Sequence, residues 1–156
     1  MRRALAIAAG VAAVALVLSG TAGATIVVGK SIDGVVLGMS QAAVRASAGR
    51  PRQVLHRTND FGPYTEFRYP GYVVDFQGNA KVTAVVTTLA RERTPGGAGV
   101  GSTWDEVKAK VPRVQCEGAP SIGNCHVGQF LPGRTVTDFF FRRGVVSKVV
   151  VGIVLD

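Results

Sequence analysis

Leu37-Gly38-Met39-Ser40-Gln41-Ala42-Ala43-Val44-Arg45 and Val100-Gly101-Ser102-Thr103-Trp104-Asp105-Glu106-Val107-Lys108 stand 63 residues apart and align position by position. The same spacing carries Asp75-Phe76 onto Asp138-Phe139. One extra residue carries Val82-Thr83-Ala84-Val85-Val86 onto Val146-Ser147-Lys148-Val149-Val150. Matching segments in one order at one period point to an internal repeat. Each copy opens with a glycine and then a hydroxyl residue, Ser40 or Thr103, able to cap the free amides of a first helical turn. Glu106, three residues after Thr103, completes a capping box in the second copy. Gly49 and Pro51 end the first helix after about two turns, and Pro112 ends the second. The apolar stripes are therefore only Val44 and Ala48, and Trp104, Val107 and Val111. Helices this short need a surface to pack on.

That surface follows each helix in the sequence. Strands are expected near 53–57, 64–69, 72–77 and 81–89 in the first copy, with turns at Asn59-Asp60, Pro70-Gly71 and Gly78-Asn79. In the second copy they are expected near 113–116, 126–130, 135–142 and 145–155. Thr94-Pro95-Gly96-Gly97-Ala98-Gly99 lies between the copies and reads as a flexible joint, a turn or linker. The expected fold is α+β: two tandem repeats, about 31–90 and 96–156, each a short helix followed by an antiparallel meander, with the helices on one face of the sheet.

The start of the chain reads as an export signal. Arg2 and Arg3 precede an apolar run from Ala4 to Leu18, and the small residues Ser19 to Ala24 end in an Ala-Gly-Ala site, with cleavage expected after Ala24. Fifteen apolar residues fall short of the roughly 20 that span a bilayer, which argues against a retained anchor. Leu18-Ser19-Gly20 is followed by Thr21, not cysteine, so no thiol is available for lipid attachment and the chain is not expected to be a lipoprotein. Without residues 1–24 the domain at 25–156 keeps 16 basic and 10 acidic groups, a net charge of +6. In an oxidising compartment Cys116 and Cys125 are expected to pair as a disulfide. A metal site using His126 would need a fourth ligand that the neighbourhood does not offer.

The stretch from Gly34 to Val54, the following meander, Thr94 to Pro112 and the second meander together resemble small exported actinobacterial proteins of the β-lactamase-inhibitor-protein-like and SmpA/OmlA (BamE-like) type. The resemblance covers most of residues 31–155. It implies a helical piece packed on one face of an antiparallel sheet, and binding of another protein in place of catalysis. The tandem inhibitors have a disulfide and two helices in each repeat, whereas this chain has one cysteine pair and room for one helix in each. Inhibition of a β-lactamase is therefore not part of what the resemblance implies.

Alternation along the strands assigns faces. Tyr72, Val74 and Phe76 read as inward, as do Thr137, Phe139 and Phe141; Val73, Asp75 and Gln77 read as outward, with Val136, Asp138, Phe140 and Arg142. Tyr64, Glu66 and Arg68 join the outward set. Tyr64, Glu66, Arg68, Asp75, Asp138, Phe140 and Arg142 thus form a candidate face for an unidentified extracellular or envelope protein, because an aromatic beside an acid and an arginine suits an interface anchor. Phe139-Phe140-Phe141 equally fits a strand covered on both sides. In the last strand Val149, Val151, Ile153 and Leu155 form an apolar stripe, while 81–89 is apolar on both faces.

Catalytic signatures are missing: there is no Gly-x-Ser-x-Gly, His-Glu-x-x-His or phosphate loop. His56 and His126 read as surface residues. Asp75 and Asp138 at matching positions are the only carboxylate pair worth weighing for a hydrolase. No cofactor is called for. Arg45, Arg50, Arg52 and Arg57 crowd the end of the first helix and form a second candidate site, for a polyanion. Outside the cell that means a wall polymer or an anionic lipid surface, with no nucleic acid expected.

Overall fold

The computed structural model describes residues 24–156, so the expected leader, apart from Ala24, lies outside the described residues. Three two-residue strands come first: β1 (Ile26–Val27), β2 (Ser31–Ile32) and β3 (Val35–Val36) form a small sheet of their own. Then come α1 (Gln41–Ala48), β4 (Gln53–Asn59), β5 (Gly62–Tyr69), β6 (Tyr72–Gln77) and β7 (Ala84–Thr87). The chain continues with α2 (Trp104–Lys110), β8 (Gln115–Glu117), β9 (Asn124–Gly128), β10 (Thr135–Arg142) and β11 (Val145–Ile153). The last eight strands make one antiparallel sheet in the order β4-β5-β6-β7-β11-β10-β9-β8. The α+β expectation therefore holds, with strand predominating.

Both helices start where hydroxyl caps stand. Ser40 Oγ accepts from the Ala43 amide at 3.2 Å. Thr103 Oγ1 accepts from the Glu106 amide while the Glu106 carboxylate accepts from the Thr103 amide at 2.8 Å, a complete capping box. Each helix buries one valine completely, Val44 and Val107. Together with Ile26, Ile32 and Val35 of the small sheet they cover one face of the large one, whose Phe67, Phe76, Phe139 and Val149 are fully buried beneath. Burial of these aromatic and branched side chains, each contributing about 1.5–3 kcal/mol, holds the layers together.

Several expected boundaries move for local reasons. Strand β7 begins at Ala84, not near Lys81, because Val82 exchanges backbone hydrogen bonds with Gly38 and Met39 ahead of α1. Arg113 takes a positive φ of 59°, which delays β8 to Gln115. After Ile153 the backbone leaves the sheet, and Val154 pairs with the 131–134 turn. Of the turn and linker readings of 94–99, the structure has the turn, closed by Gly97 N–H to Thr94 O at 2.8 Å. Thr94 and Ala98 are buried and bond to each other, Thr94 N–H to Ala98 O at 2.8 Å and Ala98 N–H to Thr94 Oγ1 at 3.0 Å. Glycine is required here by close approach: a Cβ on Gly96 would sit 2.2 Å from the Lys110 carbonyl, and one on Gly99 2.2 Å from that of Glu92.

Cys116 and Cys125 are joined by a disulfide and face each other across the β8/β9 pair, with Cα atoms 4.0 Å apart. The bridge staples the shortest edge strand to the sheet.

Candidate functional site

The helices and the small sheet lie on one face of the large sheet; among the described residues no helix covers the other. Register places Arg68, Val73, Val86, Val150, Asp138 and His126 in one row across that open face. Leu55, Glu66, Asp75, Ala84, Gly152 and Val136 form the next. The centre is apolar, through Val73, Val86, Val150 and Ala84, and carboxylates stand on either side.

On the β5/β6 side, Tyr64, Glu66 and Asp75 come together with Gln77, Thr83 and Leu155 around a hollow of about 190 Å³. Glu66 accepts from the Arg68 guanidinium, and Arg57 Nε lies 3.9 Å from its other oxygen. Asp75 has no such support: its Oδ1 is buried with no hydrogen-bond partner among the described residues. Burial, then the neighbouring Glu66, pushes the Asp75 carboxyl up to about 6, with Arg68 pulling the other way.

On the β10/β11 side a groove of about 290 Å³ opens between Phe130, Phe140, Val150, Ile153 and Val154, with Asp138 and Val136 in its lining. Val136 and Asp138 face the expected side, yet they are only 5% and 8% exposed. The cause is the chain around Phe130 and Val154, which folds over that end of the sheet and is pinned by Gly133 N–H to Val154 O at 2.9 Å and Val154 N–H to Arg134 O at 2.8 Å. Asp138 Oδ1 accepts from the Asn124 side-chain amide at 3.0 Å. Burial raises the Asp138 pKa, while the Asn124 hydrogen bond and the charges of His126 and Lys148 oppose that rise. Phe140 is half-buried at the groove edge, and the Lys148 ammonium sits over its ring, 4.3 Å from the centroid.

His126 corrects its surface reading. It is 4% exposed, packs edge-on against Phe130 with ring centroids 4.7 Å apart, and its Nδ1 is buried with no partner among the described residues. His56 lies on the exposed β4 edge, with Nδ1 3.1 Å from Thr65 Oγ1. The expected stripe along β11 breaks after Val151: Val149 and Val151 are buried under the helices, but Ile153 and Leu155 line the open-face hollows.

The seven candidate face residues therefore form two groups: Tyr64, Glu66, Arg68 and Asp75 on one side of the sheet, Asp138 and Phe140 on the other, with Arg142 exposed at the end of β10. Asp75 on β6 and Asp138 on β10 stand three strand spacings apart, about 14 Å. They line different hollows. Paired-carboxylate chemistry needs less than about 10 Å, so these two do not form such a pair. The arginine group also divides. Arg45 lies over the Phe67 ring at 4.2 Å on the helix side, Arg57 reaches Glu66 on the open side, and Arg50 and Arg52 are exposed without an ion pair among the described residues. Among the described residues no three His, Cys, Asp or Glu side chains gather as a metal-binding group, and no helix is long and apolar enough to cross a membrane.

Val86, Phe130, Lys148 and Val154 also belong to this face, though no sequence pattern marks them. Val86 lies in a stretch apolar on both sides, and Phe130 and Val154 follow the ends of their strands, where alternation carries no signal.

Protein-family models and curated proteins give no match to this chain. Solved structures do. A DUF4309 family protein, YjgB, from Bacillus subtilis subsp. subtilis str. 168 superposes with a TM-score of 0.51 at 14% identity, covering 80% of this chain and 88% of that one. The likeness is one of fold. An extracellular protein containing a SCP domain from Bacillus anthracis str. Ames gives a TM-score of 0.51 at 9% identity, over 75% of this chain and 44% of that one. This chain thus matches less than half of the second protein's length.

Proposed function

We propose that the chain is a secreted, non-catalytic module that binds another protein through the open face of its large sheet. The observation that carries this reading is the helix-free face itself, an apolar strip flanked by hollows that hold Tyr64, Phe140 and buried carboxylates. Aromatic anchors beside a water-excluded polar group suit an interface centre. An extracytoplasmic location is supported by the leader, by the disulfide and by the similar fold of the extracellular Bacillus anthracis protein.

The same reading includes an origin by duplication. Its support is the strand order, in which β4 to β7 and β8 to β11 each run from an edge inward and meet where β7 pairs with β11. Two isolated bridges, Ser40 with Lys81 and Thr103 with Val145, tie each helix cap to matching places.

Affinity capture from culture fluid and envelope extract tests the binding reading. The expected result is one reproducible partner, lost with Phe140→Ala or Tyr64→Ala. No reproducible partner, or capture indifferent to both substitutions, contradicts it.

A second reading, a cell-envelope polyanion, draws on the net +6 and on Arg50 and Arg52, exposed and without an ion pair among the described residues. Its mark would be retention on isolated walls that falls steeply with salt and with neutralisation of those two arginines. Retention indifferent to both removes it.

A further inference from the structure

The groove beside Asp138 differs chemically from the rest of the open face. Its walls are Phe130, Phe140, Val150, Ile153 and Val154, and its size, about 290 Å³, approaches that of small ligand pockets. A single carboxylate reaches its lining. Asp138 is more than nine-tenths buried, its Oδ1 is held by Asn124, and among the described residues Oδ2 has no hydrogen-bond partner. A positive charge already stands at the rim: the Lys148 ammonium lies over the Phe140 ring, 4.3 Å from its centroid. A cationic guest would meet the ammonium, and an anionic one the carboxylate. A wholly apolar guest would strip Oδ2 of water and return no donor, leaving a desolvated acceptor unsatisfied. The guest that satisfies all three conditions is flat, apolar along its body and carries one neutral donor at its tip.

We infer that this groove receives a tyrosine side chain of the partner protein, its ring between Phe130 and Phe140 and its phenol O–H donating to Asp138 Oδ2. The inference rests on the protein-binding reading and names the anchor that reading lacks. Tyrosine is among the side chains that most often anchor interfaces, because its large rigid body orders at small entropic cost while its tip needs a partner.

The test uses two probes of one shape, p-cresol and toluene, titrated into the chain at neutral pH and followed residue by residue in amide NMR spectra. The expected result is saturable shifts confined to the groove, with p-cresol bound at least about tenfold more tightly than toluene, the factor set by one hydrogen bond to a charged acceptor. In Asp138→Ala the advantage of p-cresol disappears while toluene still binds, and in Phe140→Ala both weaken. Equal affinity for the two probes in the unaltered chain, or shifts scattered over the surface, overturns the inference. If Asp138→Ala does not fold, the ratio in the unaltered chain decides alone. Selective p-cresol binding in a chain that captures no protein would sink the binding reading and with it the partner's tyrosine, keeping only the groove's selectivity for a phenol. A Phe140-dependent partner with no p-cresol selectivity would do the reverse.

Discussion

The two halves of the large sheet are held by different means. Strands β8 to β11 have a three-residue edge strand stapled by Cys116–Cys125, and the helix packed on them has a full capping box and a Glu106–Lys110 ion pair at 2.9 Å. Strands β4 to β7 have no disulfide and end in a seven-residue edge, and their helix is capped by Ser40 with no acid in its first turn. One acid from each half shows opposite behaviour, although burial raises Asp138 in the second half just as it raises Asp75 in the first. Glu106 in the second half is pulled down to about 2, first by the Thr103 backbone amide and then by Lys110. Asp75 in the first half is pushed up to about 6, chiefly by burial. Both halves have ion pairs, Glu66 with Arg68 and Arg57 in the first and Glu106 with Lys110 in the second, but only the second has a covalent staple. The first carries an unsupported buried carboxyl facing the proposed binding surface, a pattern expected where function is served at some expense of stability.

The largest way to break the contrast is to remove the staple. Cys116→Ser with Cys125→Ser is expected to lower unfolding free energy by about 2.5–3 kcal/mol on the chain-entropy account. Denaturant melts with and without reductant check it. An unchanged midpoint would mean that the edge is held by the sheet alone.

Asp75→Asn comes next and runs the other way. A folded pKa above the unfolded value of 3.8 means that the native state binds more protons between about pH 4 and pH 6, so the carboxyl weakens the fold as pH rises through that window. The variant is expected to be more stable than the parent at pH 7, on the order of 1 kcal/mol once solvent screening is allowed for, and to match it near pH 3.5. Glu106→Gln should show the mirror image. Its carboxylate supports the fold above about pH 4.5, and that support is lost as pH falls toward 2. Stability curves against pH for both variants read the two signs.

The smallest difference lies in the caps. Thr103→Ala is expected to cost about 1 kcal/mol or slightly more, and Ser40→Ala about 0.5–1 kcal/mol, because only the former dismantles a reciprocal pair of bonds. Equal losses would show that the capping box adds nothing to a single cap.

Much of this architecture could be read from residue patterns, and the exceptions have physical reasons. Both helix starts followed from Ser40 and Thr103, and the inward faces of β6 and β10 followed from alternation at Val74, Phe76, Thr137 and Phe139. Strands β1 to β3 escaped because two residues carry no period. The candidate face was legible as a set of directions, not as a shape. Alternation pointed Asp138 outward correctly, but nothing local to it announces that Phe130 and Val154 will fold over it. His126 was misread for the same reason, since its burial depends on the loop that follows it. The glycines at 96 and 99 suggested freedom, whereas they permit contact with Lys110 and Glu92.

The central claim is that the helix-free face, and not the helical one, meets a partner. Site-specific photo-crosslinking in the native culture measures this directly, with the crosslinker placed in turn at Val86 and Phe140 on the open face and at exposed Ala46 on α1. The account expects one protein to crosslink from Val86 and Phe140 and not from Ala46. The same adduct from Ala46, or adducts from Ala46 alone, would contradict it.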